Sequence, residues 1–148
     1  PNTVECEPIS TNIFNELDMY LIHTRLNRTS TQLLKNIDKN QTIHLLPLVD
    51  AMQDAMLNSD ITSFSKIIKE GWSRKKNSNP TVTSKLEVSS IDESLASNPD
   101  ILSHRLCGAG NGGFFLVFAN SGYDISQLNF SKITPISVSS EGVECCEV

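Results

Sequence analysis

The chain has 148 residues, 39% of them hydrophobic and 20% charged, with a formal net charge of −5. That composition supports a single hydrophobic core and excludes a disordered chain. The negative balance argues against a dedicated nucleic-acid binder, which gathers Lys and Arg against phosphate, and no run approaches the roughly 18 apolar residues of a membrane span.

Val4, Cys6 and Pro8 alternate with polar residues, which predicts a strand ending near Pro8. Ser10 and Thr11 are placed to cap a short helix over Asn12 to Leu17. The compact apolar run Met19 to Thr24 predicts a buried strand. Thr29-Ser30-Thr31 then starts a helix carrying Leu33, Leu34 and Ile37. Ile43, Leu46, Val49, Met52 and Met56 recur at helical spacing, so Thr42 to Leu57 reads as a long amphipathic helix with Pro47 near its first turn. Asn58-Ser59-Asp60 breaks it and caps the next helix, which carries Ile61, Phe64, Ile67, Ile68 and Trp72. Two helices joined so tightly pack antiparallel. Asn77 to Pro80 reads as a loop, and the polar stretch from there to Ser90 as mobile. A short helix over Ile91 to Ala96, capped by Ser89 or Ser90, closes at Asn98-Pro99. Strands follow at Ser103 to Cys107 and Phe114 to Ala119, then a helical turn at Asp124 to Leu128. A closing hairpin takes Ile133, Ile136 and Val138 in one arm and Val143 to Val148 in the other. Without strict βαβα alternation, these elements imply a one-domain α+β fold over residues 1–148, helices layered on a mainly antiparallel sheet.

Most polar residues have an ordinary structural reading. Cys6, Cys107, Cys145 and Cys146 contain no CxxC and read as buried, reduced thiols. His23, His44 and His104 are dispersed, so no metal site is expected. Asp50 and Asp54 share a solvated helix face, Arg74-Lys75-Lys76 reads as a solvated helix end, and Trp72 reads as core.

The exception is Gly108-Ala109-Gly110-Asn111-Gly112-Gly113. Backbone without side chains reaches positive φ and admits close approach by another backbone or a phosphate. Successive N–H groups in such a loop form an anion-binding nest. A ligand-free strand-to-strand turn has the same composition. The loop is not a P-loop, because no Lys follows Gly113. It is not a dinucleotide fingerprint either, because Phe114 to Phe118 reads as a strand rather than a helix.

Arg105-Leu106-Cys107, this loop and the apolar run Phe114 to Phe118 together resemble the third conserved motif of the GHMP kinases. Tyr20 to Ser30 is similar to the strand-and-turn segment of that family's heptose-kinase branch, and Glu70-Gly71-Trp72-Ser73-Arg74-Lys75-Lys76 to its "E-G-W-x-x-K-K" helix end. The three stretches fall in the family's order. The chain departs from the pattern at Asn111 and Arg25, where Gly is common, and at Ser103.

The resemblance implies the C-terminal domain of an ATP-dependent sugar or sugar-phosphate kinase, a ferredoxin-like two-layer unit with helices on one face of the sheet. The leading acceptor is a heptose 7-phosphate at its anomeric position. It further implies that residues 108–113 lie in the ATP cleft, that Thr24, Arg28 and Ser30 meet the substrate, and that Arg105 supports the loop. Catalytic residues, ATP and Mg²⁺ belong to an N-terminal kinase domain that this chain does not contain, so the chain alone is expected to be inactive. The implied partners are that domain and the sugar substrate, with no nucleic acid and no membrane, in the cytoplasm. The competing reading is a non-catalytic ferredoxin-like binding or regulatory module.

Overall fold

A computed structural model describes residues 9–26 and 45–139. The expected strand before Pro8, the helix from Thr29, the residues Thr42 to His44 and the second hairpin arm lie outside this set.

A 3-10 turn (Asn12–Asn15) leads into β1 (Leu17–His23). Then come α1 (Leu46–Leu57), α2 (Ile61–Ser78), a 3-10 turn (Pro80–Thr83) and α3 (Leu86–Ser97). β2 (Ile101–Leu106), β3 (Phe114–Asn120), a 3-10 turn (Ile125–Leu128) and β4 (Ile133–Ile136) complete the order. The sheet runs β2-β3-β1-β4 with every neighbouring pair antiparallel. This is the ferredoxin-like α+β arrangement. The two crossovers are unequal: the one from β1 to β2 carries α1, α2 and α3, whereas residues 121–132, between β3 and β4, carry only a 3-10 turn.

Local chemistry explains the helix boundaries. Pro47 is the second residue of α1, where a missing N–H is harmless. Ser59 takes φ 50° in the break, and the Asp60 carboxylate accepts the Ser63 amide at 3.0 Å, capping α2. Hydrogen bonds from the Ser63 side chain and then its amide lower the Asp60 pKa.

The segment expected to be mobile is ordered. α2 continues through Asn77 and Ser78. Asn79 Oδ1 then accepts the Thr81 amide at 3.2 Å and starts the 3-10 turn, which buries Val82 to 1% exposure. α3 begins at Leu86, so Ser89 and Ser90 lie inside it rather than capping it. Its apolar period is interrupted in the sequence because Asp92, a buried position, is acidic.

Neighbouring residues on a strand point to opposite faces, and β3 splits its side chains accordingly. Phe115, Val117 and Ala119 join Ile22, Leu106, Trp72, Val82, Val88 and Leu95 in one cluster. Phe118, with Leu116 packed beside it, joins Ile13, Leu17, Met19, Ala55 and Phe64 in the other. α2 serves both, stacking Phe64 edge-on against Phe118 at 5.0 Å and Trp72 edge-on near Phe115 at 6.1 Å. Trp72 is core, as its spacing implied.

Candidate functional site

The glycine loop joins β2 to β3, and its base is closed by the Cys107 amide donating to Phe114 O at 2.8 Å. Gly108, Gly110, Asn111, Gly112 and Gly113 all have positive φ, at 74°, 119°, 57°, 150° and 98°. Glycine reaches such angles freely, and Asn better than most residues.

Three parts of the chain pin this loop. At its start, Lys75 Nζ donates to Gly108 O at 2.5 Å and to Leu106 O at 3.4 Å. In the middle, the Asn111 amide donates to Val82 O at 2.8 Å, while a Cβ on Gly110 would sit 2.9 Å from Val82 Cγ1. At its end, the Gly113 amide donates to Leu26 O, and Thr24 donates both its amide (2.9 Å) and its hydroxyl (3.0 Å) to Gly113 O. A Cβ on Gly112 would meet Leu26 at 3.1 Å. Among the described residues, nothing accepts from the amides of Gly108, Ala109, Gly110 or Gly112. The loop therefore spends some amides on its own anchoring, and of the four without a described acceptor Gly110 and Gly112 belong to buried residues.

Thr24 is buried to 1% exposure, with its hydroxyl engaged by Gly113 and by the Leu26 amide. Arg25 takes φ 62°, so the turn keeps a left-handed residue although Gly is replaced, and its Nε donates to Ser131 Oγ at 2.5 Å. Arg28 and Ser30 lie outside the described residues. Arg105 is exposed on β2, opposite Leu116. Ser103 is fully buried opposite Phe118.

Sequence reasoning missed the framework behind the loop. The Asp92 carboxylate of α3 accepts from Trp72 Nε1 (2.6 Å), His104 Nε2 (2.8 Å) and Lys76 Nζ (2.6 Å), joining α2, α3 and β2. Burial pushes its pKa up, but the hydrogen bonds from His104, Lys76 and Trp72 and the Lys76 charge outweigh this and hold it at about 2. Both ammonium groups also lie over the Trp72 ring, at 5.7 Å for Lys75 and 5.2 Å for Lys76. Lys75 and Lys76 are thus a bracket between core and loop, not merely a solvated helix end, while Arg74 pairs with Glu70 on the helix surface. The available signal was a Trp followed by two Lys at the end of an amphipathic helix. The buried Asp that accepts from Trp72 and Lys76 lies 16 residues beyond Lys76.

Charge is distributed unevenly along the sheet. The loop end gathers Arg25, Lys75, Lys85, Arg105 and Lys132, whereas Asp18, Asp100 and Asp124 lie around the opposite end. Among the described residues, Arg25, Lys85, Arg105 and Lys132 form no ion pair. A chain of net charge −5 thus presents cationic groups beside this loop. No three of His, Cys, Asp and Glu converge as a metal site among the described residues, and no described helix is long and apolar enough to cross a membrane.

The same architecture occurs in solved kinases. The L. major mevalonate kinase in complex with R-mevalonate superposes with a TM-score of 0.65 at 16% identity, covering 80% of this chain and 41% of that one. Streptococcus pneumoniae phosphomevalonate kinase, solved with phosphomevalonate and AMPPNP, gives 0.64 at 11% identity, covering 81% and 40%. Mevalonate kinase from methicillin-resistant Staphylococcus aureus gives 0.59 at 16%, covering 82% and 41%. The chain has the fold of a GHMP-kinase C-terminal domain. It spans about two-fifths of the length of these solved kinases. No protein-family model and no curated sequence matches it. The glycine loop joins the edge strand β2 to the central strand β3, at the cationic end.

Proposed function

We propose that this chain is the C-terminal domain of an ATP-dependent kinase that transfers the γ-phosphoryl group to a sugar hydroxyl, with the anomeric hydroxyl of a heptose 7-phosphate as the leading acceptor. One observation carries the reading: an anchored loop whose amides at Gly108, Ala109, Gly110 and Gly112 have no acceptor among the described residues, set at the cationic end of an otherwise acidic domain. Phosphoryl transfer relies on positioning and charge stabilisation, so a domain without a catalytic base contributes by completing the cleft. The loop amides fit phosphate oxygens of ATP. Mg²⁺ and the catalytic residues are assigned to an N-terminal domain of the same protein. Arg28 and Ser30 are assigned to the acceptor, and Arg105 to supporting the loop end. Thr24, with its hydroxyl engaged, holds the acceptor turn against Gly113 rather than touching substrate. The working location is the cytoplasm, where sugar phosphates and ATP are found together.

The test is to read the gene upstream of Pro1 for a P-x-G-x-G-L-S-S segment. The whole encoded protein and the 148 residues alone are then assayed for ATP-dependent phosphorylation of heptose 7-phosphate. Turnover by the whole protein and none by the isolated chain is expected; turnover by the isolated chain would overturn the assignment.

A second reading is favoured by the packing of Gly110 against Val82 and Gly112 against Leu26, which accounts for two glycines without any ligand. It makes the chain a non-catalytic module. An upstream gene without the phosphate-loop segment would select it.

A further inference from the structure

We propose that Asn111 is a positioning residue that latches the glycine loop to the start of α3. Its backbone is left-handed, at φ 57°. Its amide donates to Val82 O at 2.8 Å. Its side-chain Oδ1 accepts the Lys85 amide at 3.2 Å and the Ser84 hydroxyl at 3.4 Å. One residue therefore holds residues 82–85 from both its backbone and its side chain. Lys85 immediately precedes α3 and has no side-chain cap of its own. Its amide would otherwise have to find water, because no other described group accepts it.

Glycine at this position would keep the φ angle and the bond to Val82 O but leave the Lys85 amide without an acceptor. The side chain is thus what ties the loop to α3. α3 carries Asp92, which holds Lys76, and the adjacent Lys75 reaches Gly108 O. The loop is therefore gripped at residues 108 and 111 by one framework. The amides of Gly110 and Gly112, which flank Asn111, are fixed in direction before any ligand arrives. Such preorganisation raises affinity by removing the cost of ordering the loop on binding. This last step rests on the phosphate-facing reading of the loop; the latch itself does not.

Amide hydrogen exchange on the 148-residue chain tests both parts. In Asn111→Gly the Lys85 amide should exchange about five- to tenfold faster, the change expected for losing one ordinary hydrogen bond. Val88, buried in α3, should be unaffected. Asn111→Asp keeps the acceptor and the tolerance for positive φ, and should hold Lys85 exchange within about twofold of the parent. Equal exchange in the parent and Asn111→Gly, or acceleration in both variants, overturns the latch. Inorganic phosphate is then titrated against the parent and Asn111→Gly. Shifts at the Gly110 and Gly112 amides with about fivefold weaker binding in the glycine variant support the positioning role. Equal phosphate affinity despite faster Lys85 exchange overturns that role. Phosphate that shifts no loop amide, while Lys85 still separates Gly from Asp, leaves the latch standing and removes the phosphate reading.

Discussion

β3 is bracketed by two turns that both use left-handed glycine but for different reasons. Before it, Gly110 and Gly112 combine positive φ with close walls: Val82 leaves no room for a Cβ at Gly110, and Leu26 crowds one at Gly112. After it, Gly122 has φ 78° with nothing within 4 Å of where a Cβ would sit. Its amide donates to the Asp18 carboxylate at 2.8 Å. The first turn is built by close approach and backed by a buried ionic frame. The second is a surface turn held by exposed groups. A glycine count would treat them alike, yet only the first has its shape dictated by the core.

The widest separation should come from Gly110→Ala. The new methyl meets Val82 Cα at 3.0 Å, a backbone atom that cannot swing aside, at a φ of 119° that alanine avoids. Overpacking and backbone strain together should cost about 4 kcal/mol. Urea denaturation of the two proteins measures this. A loss below about 1 kcal/mol would mean that Val82 and the loop are not in contact in solution.

The ionic frame gives the loop side a pH dependence. Asp92 has a folded pKa of about 2 against an ordinary carboxylate value, so its ionised form stabilises the fold. That contribution, about 2 kcal/mol, is fully present above about pH 4 and is lost as the pH falls toward 2. Asp92→Asn should lower stability by a similar amount at neutral pH and remove this segment of the acid-denaturation curve. An unchanged acid limb in the variant would assign the pH dependence to other carboxylates.

What the sequence reveals divides along the same line. The sheet strands, the α1–α2 break and the turn at Asp124 were legible because each has a local signal: an apolar run, a cap, an Asx turn. Asn79 capping Thr81 and the buried Val82 were missed, because a polar stretch with one Val has no period to detect. The early start of α3 was hidden by Ser89 and Ser90, which read as caps in the sequence but lie inside the helix. The glycine loop was visible as composition and as a resemblance. Its dependence on Lys75, Val82 and Leu26 was not, since those partners are set by tertiary packing alone.

A smaller effect probes the loop's last anchor. Thr24→Val keeps the shape and the amide bond to Gly113 O but deletes the hydroxyl that shares this carbonyl and accepts the Leu26 amide. The expected cost is about 1 kcal/mol, with Thr24→Ser recovering most of it. If valine and serine behave alike in thermal denaturation, the hydroxyl contributes nothing to holding the turn.

The smallest effect belongs to the far turn and decides whether the comparison holds. At Gly122 a side chain meets only solvent, so the whole cost of substitution is conformational. Alanine should cost roughly 1 kcal/mol for adopting a left-handed angle. Asparagine, which tolerates that angle, should cost no more than about 0.5 kcal/mol. At Gly110 the same exchange should give no such relief, because asparagine brings the same Cβ to the Val82 wall. Parallel denaturation of Gly110→Asn and Gly122→Asn therefore separates angle from space. If both tolerate asparagine equally, close approach is not what shapes the loop, and the glycines before β3 are needed only for their backbone angles, as at the surface turn.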